Sequence, residues 1–289
     1  MQEWRVVVVG EQAVDGAVAA AAIGAEHGWA VTEPGEVAGG AHLTLAAAVD
    51  SHQSIRAALG PLHASHKVDV FVSAGPPVRP QLAVFDMDST LIRMECIVEL
   101  AKHAGTGERV SEITEAAMRG ELDFAASFRE RLATLRGLPA SIIDDIAADL
   151  PVMPGVGELI ASLTGAGCRC IIASGGFTVF ARVLMERFGF AAMHSHELEI
   201  ADGLLTGEHH GEIIDGAAKE RILRETAAAH DIPLSACVAV GDGANDLGMM
   251  GAAGLGIAYH AKPVVSAAAD QAVVVGGHEA LLPFFADSL

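Results

Sequence analysis

The chain has 289 residues, enough to bury a large core and, at roughly 150 residues per domain, to hold two domains. Apolar residues make up 51% of it but aromatics only 4%, a folded α/β composition and not a disordered one. A formal charge of -19 argues against a nucleic-acid partner, which needs clustered Lys and Arg, and repels anions at long range, so any phosphate site must be locally positive.

No run of about 18 apolar residues is present, so no membrane span is expected. Met1-Gln2-Glu3-Trp4 lacks the basic start of a signal peptide. Cys96, Cys168, Cys170 and Cys237 have neither zinc spacing nor a Cys-x-x-Cys pattern. Reduced thiols in the cytoplasm are the expectation.

Along the first eighty residues the pattern predicts strands at 5–9, 29–32, 42–49 and 68–73, with helices at 13–27 and 52–59. That order, βαββαβ, is the ferredoxin-like plan. Modules of this topology resemble the ACT domains that bind amino acids on metabolic enzymes. A structural role, or a homodimer formed through this unit, fits the same topology. Pro76-Pro77-Val78-Arg79-Pro80 favours extended geometry, which divides the chain into domains 1–77 and 78–289.

Residues 82–85 are apolar throughout, as in a strand covered on both faces. Asp86 and Asp88 follow at its C-terminal end, where open α/β sheets bind ligands. Helices are predicted at 95–103, 111–118, 123–136 and 139–149. A helical block this long between two strands predicts an inserted cap, about 92–152. Strands at 170–173, 191–194, 237–240, 255–258 and 272–275 then alternate with helical stretches, which predicts a doubly wound parallel sheet. Asp202-Gly203 marks an inserted hairpin.

Three more segments fall at the same predicted sheet edge. Ser174-Gly175-Gly176 offers a hydroxyl and unobstructed N–H groups suited to phosphate oxygens. Lys219 lies near the start of the helix running to His230, and Gly241-Asp242-Gly243-Ala244-Asn245-Asp246 follows strand 237–240. Alone, each reads as a turn, a solvated lysine or a loop; in this order along one edge they form a site. His194, His196, His209 and His210, grouped around the hairpin, read as solvated histidines and not as a metal cluster.

Asp86-Met87-Asp88-Ser89-Thr90, Ser174-Gly175-Gly176, Lys219 and Gly241-Asp242-Gly243-Ala244-Asn245-Asp246 resemble, in order, the four motifs of the haloacid dehalogenase (HAD) superfamily, across about residues 81–289. Glu95 and the segment 118–131 make the chain similar, within it, to the phosphoserine phosphatase family, which often carries an ACT-like extension. The fold this implies is a HAD-like Rossmannoid core with a helical cap, plus the ACT-like unit. The activity it implies is Mg2+-dependent hydrolysis of O-phospho-L-serine through an aspartyl-phosphate, the last step of serine biosynthesis.

By that resemblance Asp86 is the nucleophile and Asp88 the acid and then the base. Asp86 and Asp242 hold Mg2+ by their side chains and Asp88 by its carbonyl. Ser174, Gly175 and Lys219 bind the phosphoryl oxygens. Glu95 takes the ammonium of the substrate and Arg131 its carboxylate, with Arg129 as the rival for that role. Asn245 orients substrate, Asp246 supports the ligands from behind, and Met118 and Phe124 exclude water. Two other readings stand at this point: a HAD phosphatase or phosphotransferase for another small phosphate monoester, and an amino-acid-sensing regulator with an inactive HAD domain. The intact acids and Lys219 speak against the second.

Overall fold

The computed structural model describes residues 2–37, 39–47, 52–74, 79–118 and 121–285. The chain opens with β1 (Gln2–Val9), α1 (Ala13–Glu26), β2 (Ala30–Val31), β3 (Gly35–Val37), β4 (Gly40–Ala47), α2 (His52–Leu59), α3 (Leu62–His66) and β5 (Asp69–Ser73). These strands form an antiparallel sheet in the order β2-β4-β1-β5, with β3 also on β4. It is the expected βαββαβ plan with its second strand broken in two around Pro34, which has no N–H to give a ladder. The expected strand end at residues 48–49 and the proposed linker at 76–78 lie outside the described residues.

β4 buries every second residue, Ala41, Leu43, Leu45 and Ala47, as a strand covered on one face does. β1 does not alternate, because both its faces are covered. Val6 and Val8 join the core under the helices, while Val7 and Val9 join the core of the second unit. Among the contacts between the two units is that of Asp69, which is 1% exposed. Its carboxylate accepts the N–H groups of Val274 at 2.6 Å, Val275 at 3.0 Å and Gly276 at 2.8 Å. We therefore predict that Asp69→Ala lowers stability by about 1–3 kcal/mol, since it takes the buried acceptor from three part-buried N–H groups. Asp69→Asn should lose less, because one amide oxygen still serves Val274 and Val275. Urea denaturation measures both, and wild-type stability in the Ala variant would contradict this account of the interface.

The second unit contains β6 (Leu82–Phe85), α4 (Cys96–Ala104), α5 (Gly107–Met118), α6 (Phe124–Ala133), α7 (Ser141–Ala148), α8 (Val156–Gly165), β7 (Arg169–Phe177), α9 (Thr178–Phe188), β8 (Ala192–Ala201), β9 (Leu204–His210) and α10 (Gly216–Ala229). It ends with β10 (Cys237–Gly241), α11 (Leu247–Ala252), β11 (Leu255–Tyr259), α12 (Pro263–Ala268), β12 (Gln271–Val273) and α13 (Leu281–Phe285). Its sheet has seven strands in the order β12-β11-β10-β6-β7-β8-β9, parallel except for β9. From β6 the chain winds outward through β7, β8 and β9, then returns to lay β10 to β12 on the other side. The winding reverses between β6 and β10, so the residues leaving those strands meet in one crevice. Every residue of β6, β10 and β11 is buried, which accounts for their unbroken apolar sequence.

Helices α4 to α7 fill the connection between β6 and α8. The helix expected to reach Arg136 ends at Ala133, and the next begins at Ser141 and not at Pro139. The reason is a tertiary pairing of the segment between them. Gly137 N–H donates to the Leu205 carbonyl at 2.8 Å, Leu205 N–H to Leu138 at 2.9 Å and Ala140 N–H to Gly203 at 2.9 Å. No helix among the described residues is long and apolar enough to cross a membrane.

Candidate active site

Asp86 is the first residue beyond β6 and is buried. Its Oδ1 accepts the Met87 N–H at 2.7 Å and lies 2.8 Å from Lys219 Nζ. Lys219 stands in the first turns of α10, a helix fixed at its start by Asp215, whose side chain accepts the Ala218 N–H at 2.8 Å. The ammonium is 1% exposed and also meets Asp246 Oδ1 at 2.7 Å. Burial alone would lower its pKa; the Asp86 and Asp246 carboxylates outweigh that and hold it above the ordinary lysine value. Asp246 is pushed up by burial and by Asp86, with Lys219 opposing. Its other oxygen accepts the N–H groups of Asp242 at 3.2 Å and Gly243 at 3.0 Å, which folds the loop after β10 onto α10.

Asp242, at the end of that strand, accepts the Thr90 hydroxyl at 3.0 Å. Burial, with the charges of Asp86 and Asp246, pushes its carboxyl up to about 7. Asp88 is likewise pushed up to about 7, by burial first and then by Glu95, although the Cys96 thiol bond opposes the shift. Cys96 donates to both Asp88 oxygens, through Sγ–H and through its backbone N–H, each at 2.9 Å. Ser89, between the two acid-bearing segments, takes φ of 56°, a left-handed conformation rarely adopted by a residue with a side chain. The turn is held by its hydroxyl, which donates to Glu95 at 2.6 Å, and by its N–H, which donates to Met94 at 3.2 Å.

β7, expected to end at Ala173, runs on to Phe177, with its pairing to β8 interrupted between Ala173 and Phe177, where Ser174-Gly175-Gly176 lies. Ser174 Oγ accepts the Gly176 N–H at 3.0 Å. A Cβ on Gly176 would stand 2.4 Å from the tip of the Met87 side chain and 2.8 Å from Asp88 Oδ1, so a larger residue there would displace the Asp88 carboxylate.

These groups share one cavity of ≈ 470 Å³, walled by Asp86, Asp88, Ser174, Gly175, Lys219, Asp242 and Asn245. Glu95, Phe124, Phe128 and Arg131 line it as well. Arg131 is held by its Nε–H on the Ser127 carbonyl at 3.3 Å; burial lowers its pKa while Glu95 and Asp88 oppose that. Arg129 is exposed and lies off the cavity wall, as does Asp246 behind Lys219. The Met118 side chain lies outside the described residues. Asp86, Asp242 and Asp246 each place an oxygen within 4.8 Å of the others, an all-oxygen set with one ammonium beside it that suits a hard cation. Both Asp246 oxygens already serve Lys219 and backbone N–H groups, so Asp86 and Asp242 are the two with oxygen to offer.

A family model of haloacid dehalogenase-like hydrolases matches residues 83–251, which hold this whole constellation. The chain belongs to the haloacid dehalogenase-like hydrolases. It is 50% identical over 199 residues to a phosphoserine phosphatase of Vibrio cholerae serotype O1, covering 69% of this chain and 61% of that protein. The crystal structure of a probable phosphoserine phosphatase from Vibrio cholerae, unliganded, superposes with a TM-score of 0.82 at 38% identity, covering 100% of this chain and 87% of that one. A substrate-bound phosphoserine phosphatase complex gives a TM-score of 0.65 at 36% identity, covering 70% and 97% respectively. The chain spans about half to three-fifths of the length of the curated relatives it matches first, between 46% and 61%.

Within this haloacid dehalogenase-like site, sequence reading missed the Cys96 thiol on Asp88. Nothing in its position next to Glu95 separates it from an ordinary core cysteine. One expectation is corrected outright: His196 is not solvated but wholly buried. Its strand pairs beside the one that carries Ser174, and the ring bonds Gly175 and Ile214. His194 and His210 are exposed, as expected, and His209 is half-buried against His196.

Proposed function

We propose that this chain hydrolyses O-phospho-L-serine to L-serine and phosphate, with Mg2+, in the cytoplasm, as the last step of serine biosynthesis. The observation that carries the reading is one cavity lined by Asp86, Asp88, Ser174, Lys219 and Asp242 together with Glu95 and Arg131. The first group suits a phosphoryl ester. The second suits the ammonium and carboxylate of an amino acid, and the similarity to phosphoserine phosphatases supports that pairing.

Phosphate monoesters hydrolyse so slowly unaided that their enzymes supply up to about 10²¹-fold acceleration. A carboxylate nucleophile divides the displacement into two easier ones. In the first, an Asp86 oxygen bonds to phosphorus as the bond to the serine oxygen breaks. Asp88, with its carboxyl raised to about 7, carries the proton that the departing oxygen takes. In the second, Asp88 takes a proton from the water that attacks phosphorus and frees Asp86. The Lys219 ammonium and the Ser174 hydroxyl hold phosphoryl oxygens where negative charge builds. Mg2+ held by the Asp86 and Asp242 side chains and the Asp88 carbonyl would supply the positive charge that clustered carboxylates and phosphate together require. Asn245 would orient substrate and Phe124 would shield it from water. The same reading divides the chain into an ACT-like unit, 1–77, serving homodimerisation, and a phosphatase unit, 78–289, with its cap at about 92–152.

Initial rates on a panel of phosphorylated metabolites, with and without Mg2+, test this directly. Phosphoserine should lead the panel, and activity should vanish on chelation. A better substrate without an amino-acid moiety would overturn the assignment. Arg131→Ala sharpens the test: kcat/KM for phosphoserine should fall about 100-fold with the loss of a bidentate charged contact. For phosphoethanolamine, which keeps the amine and lacks the carboxylate, the fall should be under about fivefold by the same argument. Equal losses on both substrates would remove Arg131 from substrate recognition.

A further inference from the structure

His196 is a buried imidazole to which the proposed chemistry gives no role. It lies on β8, the strand beside the one that carries Ser174, and has no exposed surface. Its Nε2 is 2.8 Å from the backbone N–H of Ile214, which can only donate, so Nε2 is the bare, accepting nitrogen. Nδ1 therefore carries the hydrogen, and it donates to the Gly175 carbonyl at 3.0 Å. Burial also lowers the pKa of the ring to about 4, which keeps this neutral form throughout the physiological range.

The Gly175 carbonyl and the Gly176 N–H are the two ends of one planar peptide unit. That N–H donates to Ser174 Oγ at 3.0 Å. A chain of hydrogen bonds thus runs from the imidazole, through one peptide, to the hydroxyl on the cavity wall. A serine oxygen that accepts from behind turns its own hydrogen forward, into the cavity that Ser174 lines. The face of the ring is also held. Phe128 of α6, itself a lining residue of the cavity, stacks on it at 4.2 Å between centroids, and His209 meets it edge-on at 5.2 Å. On its other side Ile214 begins the segment that leads into α10 and Lys219.

We propose that His196 is a positioning residue for phosphate binding: it fixes the peptide between Gly175 and Gly176, and through it aims the Ser174 hydroxyl at the phosphoryl oxygens. The proposal rests on the reading of this cavity as a phosphate-ester site. It assigns the effect to the Nδ1 donor in particular, and not to the bulk of the ring or to the Ile214 bond.

Three substitutions separate these contributions. His196→Asn places an amide N–H where Nδ1 stood and gives up the stack and the Ile214 bond. His196→Gln places an acceptor near the Nε2 position and gives up the Gly175 bond. His196→Phe keeps the ring and its stacking on Phe128 and gives up both bonds. The probe is inorganic phosphate, titrated in the presence of Mg2+ by calorimetry on the full chain, with thermal stability followed in parallel.

Phosphate affinity should fall roughly tenfold or more in the Gln and Phe variants and stay within about threefold of wild type in the Asn variant. That ranking should hold even though Asn, having lost the stack, is the less stable protein. If affinity follows stability instead, or if Gln and Phe bind phosphate as wild type does, His196 is only a core residue and the proposal fails. Should the Phe variant not fold, the comparison of Asn with Gln decides alone. Because the probe is phosphate and not the ester, the outcome is separable from the substrate assignment. Wild-type protein that binds phosphate yet leaves phosphoserine intact would sink the substrate reading and leave the His196 test standing.

Discussion

Asp86→Asn is expected to lower phosphate release from phosphoserine by at least about 10⁴-fold while leaving the protein folded. The amide is the size of the carboxylate, and its oxygen can still accept from the Met87 N–H and face Lys219, which retains its second partner, Asp246. What disappears is an oxygen able to bond to phosphorus. Substrate should bind to the variant, since Ser174, Lys219, Glu95 and Arg131 are untouched. Steady-state assays beside a thermal melt make the measurement. Turnover within tenfold of wild type would remove Asp86 from the nucleophile's position and leave the site without one.

Lys219→Met should be costly in two separate ways. Nζ lies at 2.8 Å from Asp86 and 2.7 Å from Asp246, in a site where the lysine is 1% exposed. Removing it leaves two buried carboxylates facing each other without their shared cation, and breaking a buried pair from one side costs about 3–5 kcal/mol. Catalysis should fall as well, by about 10³-fold, as for the loss of a preorganised donor to developing oxyanion charge. The two losses can be told apart by adding Mg2+. A divalent cation offsets part of the carboxylate repulsion, so it should raise the melting temperature of the variant more than that of wild type. Turnover should stay low, because the cation does not replace the donor. A variant of wild-type stability would mean that the ammonium is not the counterion these acids depend on.

How much of this was legible in the chain depended on whether the signal was local. Residues 82–85 read as a buried strand because both faces of β6 are covered, and the acids follow it at once. Lys219 and Asp242 have no local mark that separates them from surface residues; the order of four segments along one sheet edge revealed them. The continuous valines of β1 hinted at a strand, but the reason for them, a second core behind the sheet, is visible only in the fold. α7 begins late because residues 137–140 pair with the hairpin, a contact that no helical periodicity encodes. His196 was misread for the same reason. Its polarity suggests solvent, and what buries it is the Gly175 carbonyl 21 residues earlier and the Ile214 N–H 18 residues later. Cys96 was missed because a thiol in an apolar helix looks the same whether or not a carboxylate waits at 2.9 Å.

The chemistry stands or falls on whether position 86 carries the phosphoryl group during turnover. Quenching the wild-type enzyme in acid while it consumes phosphoserine with Mg2+, then reducing with borohydride, converts any aspartyl-phosphate to homoserine, which peptide mass spectrometry locates. Homoserine at position 86, absent when substrate is omitted, is the predicted result. An unmodified Asp86 during sustained turnover, or a phosphoryl group found on a different residue, would contradict it.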